Sequence, residues 1–210
     1  MKRFTPTALT LLLAACAPGV FAASSTDLSV TGVITPSACS PSFSSGGVID
    51  HGKIAAKDLN PDRWNVLENR TLQLAINCDA PTLLALRSID NQSSSSYDPA
   101  NSYGLGMVSG KKLGDYVLVF SNPIADGAAI SVLESRDNGI TWRENYPSDI
   151  WPVSYLASFG DQSTGSWAPT PIKQVTADIR IETMIAPTAG MDLTNETPIN
   201  GSATVEVRYL

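Results

Sequence analysis

The side chains that most often carry out catalysis are sparse in this chain of 210 residues. His51 is the single histidine, and the cysteines are Cys16, Cys39 and Cys78. A Cys/His metal cluster needs more ligands than these supply, and a Ser-His-Asp triad would have to use His51, beside which no nucleophile elbow is recognisable. No spacing pairs two carboxylates for glycoside hydrolysis. We therefore expect no metal, no cofactor and no enzyme, with His51 a polar residue at a strand end.

One short motif has a recognisable pattern. Residues 135–142 read Ser-Arg-Asp-Asn-Gly-Ile-Thr-Trp, and the fixed positions of the Asp-box pattern fall on Ser135, Asp137, Gly139, Thr141 and Trp142. In such a turn the aspartate accepts hydrogen bonds from the turn backbone and the glycine takes a positive φ. Similar boxes occur repeatedly in sialidases and other β-propellers, away from the active site. A single box predicts a stabilised hairpin, and an exported glycan-active enzyme of sialidase type is the alternative.

The tryptophans could offer a stacking surface for sugars, and they are Trp64, Trp142, Trp151 and Trp167. The last two fall in residues 145–171, which we predict to be irregular, and irregular segments often form binding surfaces. Aromatic side chains of β-proteins more often belong to the core. Contact with a host or surface glycan is therefore the second interpretation of these residues.

The N-terminus predicts export. Lys2 and Arg3 precede an apolar stretch, and Val-Phe-Ala at residues 20–22 suits a signal peptidase. We expect a signal peptide at residues 1–22 and one mature domain at residues 23–210. The apolar stretch is shorter than the roughly 20 residues that a membrane-spanning helix needs.

A second interpretation of the N-terminus stays open. Leu-Ala-Ala-Cys at residues 13–16 is similar to a lipobox, which would place a lipid on Cys16. The chain would then be an outer-membrane lipoprotein with a binding module. Cleavage after Ala22 is the preferred interpretation because apolar residues continue beyond Cys16.

Either processing event leaves Cys39 and Cys78 as the pair available for a disulfide. Disulfides persist in the oxidising compartments that exported proteins reach, and one closing a loop of this length stabilises a fold by about 4 kcal/mol. Two free thiols are the alternative. The net charge of −6 and the absence of a Lys/Arg cluster after the signal peptide argue against nucleic-acid binding.

Alternating apolar residues and turn signals predict an all-β chain with almost no helical periodicity. The predicted strands lie at residues 28–34, 48–54, 71–78, 83–89, 116–120, 128–133, 140–143, 175–182 and 203–209. We expect residues 116–120 to be buried on both faces because they are apolar throughout. Many short strands separated by turns indicate a β-sandwich.

The order of these motifs resembles the subunits of chaperone–usher fimbriae, and within them a little-characterised fimbrial-like exported family. The shared features are a signal peptide, a first cysteine near the mature N-terminus, and Val-Ile-Asp-His-Gly-Lys-Ile at residues 48–54. A second cysteine at the end of an alternating strand, residues 72–80, and a penultimate tyrosine, Tyr209, complete the pattern.

The resemblance implies an immunoglobulin-like, pilin-type sandwich that lacks its last strand. A periplasmic chaperone would fill the open groove with a strand, and a neighbouring subunit would replace that strand at the usher. The groove-lining residues carried over from the family are Ala203, Val205, Val207 and Tyr209. The terminal carboxylate of Leu210 would contact basic chaperone residues. The resemblance places the protein in the periplasm in transit, then in a fimbrium or at the cell surface.

The donor segment leaves three arrangements open. If residues 28–34 form the first strand, residues 23–27 are a short and polar donor. Such a donor is too short to insert well, so the subunit would sit at a fibre tip, complement itself, or not polymerise at all.

Overall fold

The computed structural model describes residues 38–210 and Ser29. Contacts divide the chain into Met1–Ile34 and Thr35–Leu210, and the fold below is that of the second unit. The expected signal peptide and lipobox lie outside the described residues, as does the predicted strand at residues 28–34 except for Ser29.

The described residues form fifteen strands and no α-helix. The strands are β1 (Cys39–Phe43), β2 (Asn65–Val66), β3 (Arg70–Thr82), β4 (Leu84–Asp90), β5 (Tyr103–Gly104), β6 (Met107–Val108), β7 (Lys111–Lys112), β8 (Gly114–Ala125), β9 (Ala128–Ala129), β10 (Ser131–Ser135), β11 (Arg143–Glu144), β12 (Leu156–Asp161), β13 (Ala168–Pro169), β14 (Ile172–Ile185) and β15 (Ala203–Tyr209). Short 3-10 helices lie at Ser44–Gly47, Ala56–Asp58 and Ser93–Ser95. The described part of the chain contains no helix with the length and hydropathy needed to cross a membrane.

Two antiparallel sheets make up the sandwich. The first has the order β1-β3-β14-β8-β5, with β2 added to β14 and β9 to β8. The second has the order β11-β10-β12-β4-β15, with β13 added to β12, and β6 and β7 form a separate hairpin. The predicted all-β sandwich with one disulfide is confirmed.

The core follows from the period of two along each strand. Every second side chain is apolar and buried at residues 72–78 of β3 and 175–181 of β14, and Ala177 stands opposite Leu74 in the ladder. Leu86 of β4 and Phe159 of β12 are both fully buried and belong to the same cluster from the second sheet. The alternation that predicted these strands therefore also selects the residues between the sheets.

β8 is buried on both faces, as its apolar sequence predicted. Val119 and Phe120 point to opposite faces, and each is 1% exposed. Phe120 faces the core, whereas Val119 forms a bridge with Ile150 in the segment that follows β11. The second sheet thus covers one face of β8, and a loop covers part of the other.

One prediction about residues 145–171 is wrong. The stretch is not irregular throughout, because it contains β12 and β13. Trp151 lies in the core, which is the preferred interpretation of the aromatic residues and not the glycan-binding alternative. Its backbone N–H donates to the Leu118 carbonyl, its ring nitrogen donates to the Tyr155 carbonyl, and its side chain is 1% exposed. These bonds satisfy both polar groups, so the indole can lie against Phe120 in the core at 5.0 Å.

The strand predicted at residues 48–54 does not form. Gly52 has a φ of +66°, and its N–H donates to the Asp50 carboxylate at 2.7 Å. This side-chain turn competes with ladder pairing, which explains the difference. His51 therefore lies in a loop and not at a strand end.

The disulfide joins the first two strands of the first sheet. Cys39 and Cys78 are cross-strand partners in the β1–β3 ladder, and their sulfur atoms are bonded. The predicted pairing of Cys39 with Cys78 is confirmed. The bridge closes a loop with a sequence separation of 39, which spans the irregular residues between β1 and β3.

Candidate functional site: a groove between two strand edges

The first and last described strands each lie at the edge of a sheet. Within residues 38–210, β1 pairs only with β3 and β15 pairs only with β4. Each strand therefore presents one row of backbone N–H and C=O groups that has no ladder partner there. Unpaired edges of this kind are templates for pairing with another strand.

An apolar cavity of about 380 Å³ lies between these two edges. Its floor comes from the inner face of the first sheet, and its walls come from β1, β15 and the loops beside them. The apolar lining residues are Phe43, Ile49, Leu72, Leu105, Tyr116, Leu118, Ile179, Ile181, Ile199, Ala203 and Val205. We call this cavity the groove. Its floor is core surface that the second sheet does not cover.

One end of the groove is narrowed by direct contact between its walls. The backbone N–H of Cys39 donates to the hydroxyl oxygen of Tyr209 at 3.0 Å, which joins the start of β1 to the end of β15. The opposite end continues into a second cavity of about 670 Å³. The two cavities share Ile49, His51 and Ile199. A strand could therefore extend beyond the sheet edges at that end.

The four residues predicted to line the groove divide into two pairs. Ala203 and Val205 line the cavity. Val207 is half-buried against the core, and Tyr209 is 41% exposed and contacts Cys39 through its hydroxyl. All four lie on β15, but only the first pair faces the open part of the groove.

His51 forms part of the rim where the two cavities meet. Its Nε2 lies 3.1 Å from the hydroxyl oxygen of Thr183, a side chain of the groove floor that is 2% exposed. Burial, reinforced by the Arg70 guanidinium, lowers the pKa of His51, while the Asp50 and Glu68 carboxylates oppose that shift. The neutral imidazole is thus favoured beside the apolar floor.

The Asp-box turn lies away from the groove. The Asp137 carboxylate accepts hydrogen bonds from the Thr141 hydroxyl, the Thr141 N–H and the Ser135 hydroxyl. These bonds, those from Thr141 first, lower the pKa of Asp137 to about 2. Gly139 has a φ of +95° and packs against the half-buried Trp142. The turn is therefore held by its own side chains.

The tryptophans do not form a common surface in the described chain. Trp64 is 43% exposed, Trp142 and Trp167 are half-buried, and Trp151 is in the core. Trp64 instead meets Tyr97 in an edge-on contact with ring centroids 5.0 Å apart. The aromatic residues are evident in the sequence, but the contact between Trp64 and Tyr97 is not, because the two residues are distant in the chain.

Much of the groove floor was not predicted. Leu118, Ile179 and Ile181 follow the alternation of β8 and β14, so their inward direction was readable from the sequence. That they are uncovered there depends on where β15 ends the second sheet. Phe43, Thr183 and Ile199 carry no sequence signal that would assign them to a site.

The structure is thus an all-β sandwich with an apolar groove between two edge strands. A family described as "Protein of unknown function (DUF1120)" matches residues 28–109, a range that contains both bridged cysteines. The chain is also similar to Protein GltF of Escherichia coli (strain K12). The two are 26% identical over 250 aligned positions, which cover 100% of this chain and 98% of that relative.

Proposed function

We propose that the protein is a structural or adhesive subunit of fimbrial type, and not an enzyme, that captures a β-strand in the groove. The observation that supports this most directly is the combination of two unpaired strand edges with an apolar floor between them. Backbone pairing to such an edge supplies affinity, and alternate side chains entering pockets supply specificity. A strand edge with free N–H and C=O groups beside an apolar floor fits an extended peptide better than a small substrate.

The energetics support capture of a strand with alternating apolar residues. Each side chain of valine or leucine size that enters the groove would contribute about 1.5–3 kcal/mol by leaving water. Ile179 and Ile181 lie two positions apart on β14, and Ala203 and Val205 lie two apart on β15. An incoming strand has the same period of two, so its alternate side chains would meet this floor in register.

The partners we propose are a periplasmic chaperone first, then an usher and neighbouring subunits. Export would bring the chain to the compartment where such partners act, and the disulfide suits that compartment. The chaperone strand would cover the groove and so prevent aggregation through the two open edges. A neighbouring subunit would then supply its own strand.

We propose residues 28–34 as a donor strand for a neighbouring subunit. Leu28, Val30 and Ile34 alternate with polar residues, as an inserting strand requires. The first strand among the described residues is β1, which begins at Cys39. If β1 is also the first strand of the sandwich, residues 28–34 are available for donation and the donor is not limited to residues 23–27.

Co-expression with a periplasmic fimbrial chaperone tests the proposal. The wild-type chain should co-purify with the chaperone, and Val205→Asp should abolish the complex because it places a charge in the groove. Thr204→Asp is the matched control, since Thr204 lies on the other face of β15 and bonds Asn91. It should leave the complex intact.

A synthetic peptide of residues 26–36 provides a second measurement that does not depend on the folding of a variant. It should displace the chaperone from the wild-type chain, whereas the same peptide with Val30→Asp should not. A monomer that is stable without a chaperone and binds neither strand would overturn the proposal. Hydrolysis of a sialyl substrate by the purified chain would contradict the proposal that it is not an enzyme.

A further inference from the structure

A third cavity, of about 420 Å³, lies on the outer side of the second sheet. Three of the eight arginines of the chain line it. Arg87 comes from β4, Arg136 from the Asp-box turn, and Arg208 from β15. We call it the arginine pocket. Although the chain has a net charge of −6, three separate segments place guanidinium groups around this one cavity.

The Asp-box turn forms one wall of the arginine pocket. Arg136 and Asn138, two of the three variable positions of the motif, line the cavity, and Arg208 donates to the Asn138 side-chain oxygen at 2.5 Å. Gly139 of the same turn lies against Leu210, since a Cβ there would be 3.6 Å from that side chain. The turn thus holds the end of β15 and contributes side chains to the pocket.

The carboxylates near these arginines already have ion-pair or hydrogen-bond partners within the protein. Glu134 is 3% exposed and contacts Arg143 as well as Arg136, with 3.6 Å between the Arg136 Nε and its Oε1. Asp90 accepts from the N–H groups of Gln92 and Gly104. Both charges therefore already have strong hydrogen-bond partners.

Arg87 has the freest guanidinium of the three. No carboxylate in the described part of the chain comes within 4.0 Å of it. Glu206 stands opposite Arg87 in the β4–β15 ladder, but it makes no ion pair there and does not line the cavity. Arg87 is thus available to an anion that enters the pocket.

Polar and aromatic groups complete the pocket. The hydroxyls of Ser93 and Tyr155 line it, and neither makes a hydrogen bond to another described residue. The Tyr155 ring carries the Arg136 guanidinium 5.0 Å above its centroid, which holds Arg136 in place by a cation–π contact. The pocket therefore combines fixed positive charge with free hydroxyl partners.

We infer that the arginine pocket binds a carboxylate-bearing monosaccharide. The arginine side chains match the planar carboxylate group, to which guanidinium binds in a two-bond fork. The free hydroxyls of Ser93 and Tyr155 suit the hydroxyl groups of a sugar ring. The volume of about 420 Å³ is within the range of about 300–1,000 Å³ usual for small-ligand sites.

This inference gives the adhesive role a ligand class, but it does not depend on strand capture. The pocket lies on the outer side of β15, whereas Val205 faces the groove on the inner side. Loss of the chaperone complex and loss of sugar binding are therefore separate outcomes. Either proposal can fail while the other stands.

Calorimetric titration of the exported full-length protein with glucuronate, N-acetylneuraminate, glucose, succinate and inorganic phosphate tests the inference. At least one acidic sugar should bind about tenfold more tightly than glucose or succinate. Arg87→Gln should weaken that binding about tenfold or more, because a charge-assisted hydrogen-bond pair is lost. Arg63→Gln is the matched control, since Arg63 is exposed and does not line the pocket.

The contrary outcomes are equally specific. If no acidic sugar binds, or if glucose binds as well, the pocket is not a carboxylate-sugar site. If succinate or phosphate binds as tightly as the acidic sugars, it is a general anion site and the sugar assignment is wrong. If Arg63→Gln weakens binding as much as Arg87→Gln, the effect comes from overall charge and the pocket is not responsible. Thermal unfolding of each variant checks that it is folded.

Discussion

The groove and the arginine pocket lie on the two sides of β15, and they differ in what they leave without a partner. At the groove the strand leaves backbone groups and apolar surface uncovered. At the pocket the backbone of β15 is paired with β4, and side chains provide the free groups. Backbone groups recognise any strand of the right period, whereas an arranged set of side chains recognises one small chemical group. The two proposals therefore assign two kinds of recognition to one strand.

Removal of the disulfide should impair the groove and leave the arginine pocket intact. Of the changes predicted here, it should have the largest effect on stability. The double variant Cys39→Ala/Cys78→Ala should lose about 4 kcal/mol of unfolding free energy in urea. It should also lose chaperone binding, because the bridge fixes the start of the β1 wall. Sugar binding by the fraction that remains folded should be unchanged. Retention of chaperone binding would show that β1 is not a wall of the acceptor site.

Gly104→Ala should impair the arginine pocket and leave the groove intact. A Cβ at Gly104 would stand 2.5 Å from the Gln92 carbonyl oxygen and 2.7 Å from the Ser96 nitrogen, so backbone must move. We expect a loss of about 1–3 kcal/mol in unfolding free energy. Gly104 also donates to Asp90 beside the arginine pocket, so acidic-sugar binding should fall. Chaperone binding should persist, and its loss would mean that the two sites are not independent.

Lowering the pH should reduce the free energy of unfolding through His51, by less than either of the two substitutions above. The pKa of His51 is lowered in the folded protein, so below pH 6.5 the unfolded chain takes up a proton that the folded chain does not. Unfolding free energy should therefore decline as pH falls through 6.5 and be unaffected above that range. Comparison of denaturant midpoints across this range should show a flatter profile for His51→Gln. If the wild type and His51→Gln have identical pH profiles, the charge of His51 does not affect the groove.

Asp137→Asn should give the smallest effect, confined to the arginine-pocket side. The pKa of Asp137 is about 2 in the folded protein and 3.8 in an unfolded chain, so its contribution to stability is complete above pH 3.8 and disappears as pH falls towards 2. The variant should flatten acid unfolding in that range and weaken sugar binding a few-fold, because the turn holds Arg136 and Asn138. Asp161→Asn is the control, since Asp161 also has a lowered pKa but lies outside the pocket. It should alter acid unfolding without altering sugar binding.

The sequence predicted features that depend on local periodicity. The alternation around Ile76, Ile179 and Val205 located β3, β14 and β15, and it placed Cys78 on a buried face. The disulfide followed from export and from the small number of cysteines. In these cases a few neighbouring residues decide the structure.

Features that depend on tertiary contacts were missed or misassigned. Trp151 was expected in the core, but nothing nearby in the sequence shows that it would pack on Phe120 and bond to Leu118 of β8. Residues 48–54 have a strand-like pattern, but the Asp50–Gly52 turn prevails. Arg87 and Arg208 are far apart in the chain, so a search for runs of basic residues could not find the pocket.

If the protein is assembled as proposed, the short length of β1 predicts an order of events in maturation. The strand has five residues and one ladder partner among those described, and its first residue carries the disulfide. Until that bond forms, one wall of the groove is held by only a few backbone hydrogen bonds. Thiol oxidation should therefore precede stable engagement of a chaperone. In a cell, the enzymes that introduce disulfides would then limit how fast assembly-competent subunits are supplied.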